Sequence, residues 1–94
     1  MITLVVITKK AYKQLGKVPD YIKDKLEDWA KNVQELGIQE VRKHPAYHDE
    51  PLKEKRKGER SIRLSRQWRA IYCEKDNGSI YIEVLEVTPH EYKK

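Results

Sequence analysis

The chain has 94 residues, with 20 Lys and Arg against 15 Asp and Glu; 37% of it is charged, 38% is hydrophobic, and Phe is absent. That is enough for one domain with one modest core, and too apolar and too well patterned for a disordered chain. No apolar run approaches the ~20 residues of a membrane helix. The opening run Ile2 to Ile7 is too short for a signal peptide, has no basic stretch before it, and leads into Lys9-Lys10 rather than a small-residue cleavage site. The single cysteine, Cys73, cannot form an internal disulfide, and no Cys/His spacing suits structural zinc. A small, basic, single-domain, cytoplasmic protein is expected, with no membrane partner.

Residues 2–7 form a β-branched apolar run that reads as a strand buried on both faces. Thr8 is placed to cap a short helix from Lys9 to Leu15, stopped by Gly16 and Pro19. Asp20 is placed to cap a second helix. Its apolar positions Ile22, Leu26, Trp29, Val33 and Leu36 make one helical stripe, ended or kinked by Gly37. One or two further turns are expected between Ile38 and His44. Pro45 to Gly58 has no periodicity and reads as a loop.

Ser61 to Ser65 alternates, with Ile62 and Leu64 on one face and Arg63 on the other. Trp68 to Glu74 reads as the next strand. Asp76-Asn77-Gly78 predicts a type I′ hairpin turn, and Ser79 to Val87 a long central strand, with Ile80, Ile82 and Val84 on one face and Tyr81, Leu85 and Val87 on the other. The fold class is therefore α+β: an N-terminal strand, two helices, then a three-stranded antiparallel meander in one sheet with the helices on one face. Two helices of this length leave the other face partly open.

The charge is concentrated. Residues 53–69 carry eight basic residues against Glu54 and Glu59, while residues 1–52 are near neutral and residues 70–94 are acidic. A compact positive patch bordering an open sheet face attracts polyanions.

Two stretches resemble a known family. One is Pro51-Leu52-Lys53, with Lys57-Gly58-Glu59-Arg60-Ser61-Ile62-Arg63-Leu64-Ser65-Arg66-Gln67-Trp68-Arg69-Ala70-Ile71-Tyr72; the other is Val84-Leu85-Glu86-Val87-Thr88-Pro89-His90-Glu91-Tyr92 after the hairpin. Together they resemble the RelE/ParE superfamily of toxin–antitoxin toxins, most closely its HigB-type and RelE-type members. The resemblance implies a single RelE-like domain over residues 1–94, and a type II toxin that cleaves mRNA in the ribosomal A site and so inhibits translation. It implies a metal-independent endoribonuclease without cofactors. The implied partners are the ribosome, mRNA, and a protein antitoxin carrying a helix-turn-helix or other DNA-binding part.

Carried onto this chain, the resemblance assigns Arg69 to the scissile phosphate, where a planar guanidinium gives a bidentate contact. A structural arginine paired with Glu83 or Glu86 is the other reading of that residue. Lys53 matches a loop lysine and serves as a further cation. His90 is the best acid/base group, and Tyr92 matches a tyrosine that stacks on a base or bonds the phosphate. Glu50 stands where some members carry a loop histidine, and a carboxylate there could act as base. His44 and His48 sit in the loop region, where either could approach the site, but neither matches a family position.

Lys55, Arg56, Lys57, Arg60, Arg63 and Arg66 are expected to grip RNA or ribosome backbone. The chain departs from the family pattern at Glu54, where a glycine is usual, and in its His-Glu-Tyr-Lys ending. A ParE-like gyrase inhibitor and a non-catalytic RNA-binding module are the alternatives to this reading.

Overall fold

The computed structural model describes residues 2–89, and these form one mixed five-stranded sheet with helices on one face. The elements are β1 (Val5–Ile7), α1 (Lys9–Leu15), α2 (Asp20–Leu36), α3 (Ile38–Arg42), β2 (Glu50–Pro51), β3 (Glu59–Arg63), β4 (Trp68–Asp76) and β5 (Ile80–Pro89). Short 3₁₀ turns at Pro45–Tyr47 and Glu54–Arg56 interrupt the loop between α3 and β3. The sheet order is β1-β5-β4-β3-β2, with β1 parallel to β5 and the other pairs antiparallel.

The predicted α+β class and the antiparallel β3-β4-β5 meander are present. The first strand differs from expectation: it spans three residues at the sheet edge, and Leu4 and Val6 are exposed rather than buried. Edge position explains this, since β1 has a partner on one side only and helices on one face only.

Thr8 caps α1 as predicted, its hydroxyl oxygen accepting from the Ala11 amide at 3.1 Å. The same threonine joins α1 to β5: its amide donates to the Val84 carbonyl and its hydroxyl to the Leu85 carbonyl. In α2, Asp20 is the first helical residue and not the cap, so it acts on the helix dipole instead. Ile22, Leu26, Trp29 and Val33 are buried, but Leu36 is 53% exposed. Gly37, at φ 84°, breaks the helix one residue later and turns the chain so that Ile38 enters the core.

Asp76 pairs with Ile80, so the hairpin loop has three residues, and only Gly78 takes positive φ (101°). The type I′ turn, which needs two such residues, is therefore absent.

β5 contains a bulge: Ile71 faces Glu86 and Tyr72 faces Val84, leaving Leu85 unpaired. The extra residue shifts the phase of the alternation. Val87 thereby joins Ile82 and Val84 in the core rather than lying opposite them. The core lies between this sheet face and the helices, with Trp29 tilted against Tyr72 at 5.2 Å between ring centroids.

Candidate functional site

Directly paired residues of an antiparallel ladder share a face, and the register places Arg63, Arg69 and Thr88 in one row on the face away from the helices. Glu50, Ser61, Ile71 and Glu86 form the next row on that face. At this end of the sheet, Glu50, His48, Ser61, Arg63, Ser65, Arg66 and Arg69 line a cleft with Trp68 at its side. Strand alternation delivers the arginines there, because Ile62 and Ala70 point into the core and their neighbours must point out.

Arg69 and Arg63 stand directly opposite one another with no carboxylate between them. Among the described residues neither has an ion pair, and the Nε of Arg69 is buried without a hydrogen-bond partner. Like charges opposed across a ladder destabilise it, and a buried unpaired N–H adds to that cost. The pair concentrates positive charge at the cleft, and the planar fork of a guanidinium suits a bidentate contact with an anion. Arg69 is not a structural partner of Glu83 or Glu86. Glu86 instead takes Arg56 at 2.5 Å and Lys10 at 3.7 Å.

The remaining basic residues divide into two groups. Arg56 bridges Glu59 (2.6 Å) and Glu86, and these contacts strap the 54–56 turn across the open face. The Arg56 hydrogen bond is the main reason the Glu86 carboxyl is held below its ordinary range. Arg60 lies in the Tyr72 row, on the helix side of the sheet, and is tied to Asp49 at 2.6 Å. Both residues are expected to grip RNA, and in the structure both are ion-pair partners within the protein. Lys53, Lys55 and Lys57 are exposed on the strapped loop, and Lys53 is not among the residues lining the cleft. Arg63 and Arg66 do line it.

Glu50 reaches the cleft rim through β2, a strand that no sequence periodicity announced. His48 joins it there, two residues earlier on the same side, in the left-handed region at φ 45°. Of the two loop histidines, His44 and His48, His48 is the one that lines the cleft, and its placement depends on that backbone turn. Asp49 between them points the other way, and its side chain is 1% exposed. Its partner, the Tyr72 hydroxyl, donates to it and is pushed well above its ordinary pKa, chiefly by burial. His90 and Tyr92 lie outside the described residues. No group of three or more His, Cys, Asp or Glu able to hold a metal occurs among the described residues.

A second groove, lined by Lys25, Tyr47, Arg63, Leu64, Ser65 and Arg66, continues from the cleft and shares three of its residues. It has three cations and no carboxylate in its lining.

This arrangement occurs on a known scaffold. The structure is similar to the YoeB/ParE toxin from Agrobacterium tumefaciens, with 20% identity and a TM-score of 0.71 over 94% of this chain and 99% of that one. It is similar to YafQ from E. coli strain BL21(DE3), with 16% identity and a TM-score of 0.72 over 92% and 91%. It is also similar to a chain of the RelBE2 toxin–antitoxin complex from Mycobacterium tuberculosis, with 20% identity and a TM-score of 0.69 over 96% and 100%. No protein-family model matches the sequence, and no curated protein matches it either. The likeness is one of fold, shared with these three structures.

Proposed function

We propose that this protein is the toxin of a type II toxin–antitoxin system, and that it cleaves mRNA on the ribosome. The observation that carries the reading is the opposed pair Arg63 and Arg69, unpaired among the described residues, beside a rim holding Glu50 and His48. An uncompensated cation pair next to groups able to exchange protons fits a phosphodiester that gains negative charge during reaction.

In this reading the RNA 2′-oxygen attacks the adjacent phosphorus and the bond to the 5′-oxygen breaks, giving a 2′,3′-cyclic phosphate and a free 5′-hydroxyl. Glu50 takes the 2′-hydroxyl proton. Arg69 and Arg63 hold the phosphate oxygens as charge develops. His90 returns a proton to the leaving 5′-oxygen, Tyr92 stacks on a base or bonds the phosphate, and Lys53 supplies a further cation from the loop. Proton transfer and cation contacts suffice for this chemistry, so no metal or cofactor is assigned to it. The partners are the ribosome and its mRNA in the cytoplasm, with a protein antitoxin that covers the basic face and bears a DNA-binding part.

Primer extension on an mRNA, with and without ribosomes, tests this. Breaks within codons that appear only with ribosomes are expected. Intact message together with collapse of DNA supercoiling would replace the reading with gyrase inhibition.

A further inference from the structure

The cleft rim is held from the opposite side of the sheet. β2 spans two residues and pairs only with β3, and the residue before Asp49 sits in a left-handed conformation that costs energy for any side chain. A strand so short has little intrinsic rigidity. Yet His48 and Glu50 both face the cleft, and the one side chain between them is fully engaged.

Asp49 Oδ1 accepts from Arg60 Nε at 2.6 Å, and its Oδ2 accepts from the Tyr72 hydroxyl at 2.5 Å. That hydroxyl accepts in turn from Arg42 Nε at 3.0 Å, and Arg42 Nη2 donates to Glu74 at 2.9 Å. Asp49 is thereby tied to β3 and β4 directly, and to α3 through Tyr72. A buried carboxylate is an expensive way to stabilise a fold, since apolar residues of the same volume often serve as well. A geometrically exact anchor for a two-residue strand is something apolar packing does not provide.

We propose that Asp49 is a positioning residue: its carboxylate, fixed by Arg60 and Tyr72, holds the 48–50 backbone so that His48 and Glu50 face the arginine pair. The proposal rests on reading the cleft as the nuclease site, and the experiment separates the two. Asp49→Asn keeps size and removes charge, whereas Tyr72→Phe removes one donor and keeps the ring packed against Trp29. If the first variant fails to fold, the second carries both measurements.

In the free protein, amide hydrogen exchange at residues 48–50 should accelerate about tenfold in either variant, while the amides of β4 and β5 stay within about twofold. Uniform acceleration across the sheet, or no change at 48–50, overturns the proposal. In single-turnover cleavage of ribosome-bound mRNA, each variant should be about 10- to 100-fold slower with ribosome affinity unchanged, the size of loss a small misplacement causes. In a background carrying both His48→Gln and Glu50→Gln the same changes should cost almost nothing more, because a residue that acts through His48 and Glu50 cannot be lost twice. A full further loss in that background overturns the proposal. Absence of cleavage by the unaltered protein overturns the nuclease reading instead, and hydrogen exchange then decides the anchoring of 48–50 by itself.

Discussion

Arg69 and Glu54 are two residues at which a local rule is broken, and each break makes a prediction. The buried Nε of Arg69 has no partner among the described residues, so its removal takes away no described contact from the fold. Arg69→Ala should slow cleavage by about 10²–10³, the usual cost of losing one preorganised donor to developing charge, with the thermal midpoint unchanged or raised. Arg69→Lys should recover little, since an ammonium lacks the planar fork. Single-turnover rates beside thermal melts check both. Glu54 sits at φ 58°, a left-handed conformation that glycine adopts without strain and a glutamate does not. Glu54→Gly should stabilise the protein by about 0.5–1 kcal/mol, the relief of left-handed strain less the greater entropy of an unfolded glycine. Urea unfolding measures it, and a lower midpoint would show that Glu54 makes a compensating contact.

Among the elements, the 53–57 loop depends most on a single side chain. Arg56 holds Glu59 and Glu86 together across the open face, and Glu86 is held below its ordinary range chiefly by that hydrogen bond. A carboxylate with a lowered folded pKa contributes stability above its unfolded value, about 4.3, and loses it as pH falls through the folded value. The protein should therefore lose more stability than Arg56→Met does as pH falls below about 4, measured by thermal melts in matched buffers. Equal loss in both would mean the strap adds nothing. The strands of the meander were legible because Ile62, Leu64 and Ala70 alternate cleanly with Arg63 and Arg69. β2 was not legible, because two residues carry no period and its pairing is enforced by Asp49 through partners 11 and 23 positions away. For the same reason Arg56 and Arg60 looked like free cations: nothing local shows that Glu86 and Asp49 will meet them.

On the scale of the whole molecule, the positive charge of residues 53–69 is spent in three ways: two arginines in internal pairs, three lining the cleft, and three lysines left on the loop. Only exposed lysines can serve docking alone. Lys55→Gln with Lys57→Gln should weaken ribosome binding and flatten its salt dependence, each lost phosphate contact contributing about 0.7–0.9 to the slope of log affinity against log salt. Cleavage by bound protein should hardly change, because such contacts serve ground and transition states alike. A salt titration beside single-turnover cleavage decides it, and an unchanged slope would remove these lysines from the interface. The unpaired Leu85 has a different kind of consequence. Because it is looped out of the ladder, Val87 faces inward and Glu86 outward toward Arg56. Deleting residue 85 would leave Val84 opposite Tyr72 and Glu86 opposite Ile71 in an unbroken ladder, so both faces would keep their side chains. What the extra residue adds is shape: a local bend and added twist in β5, which any side chain at position 85 preserves and a deletion straightens.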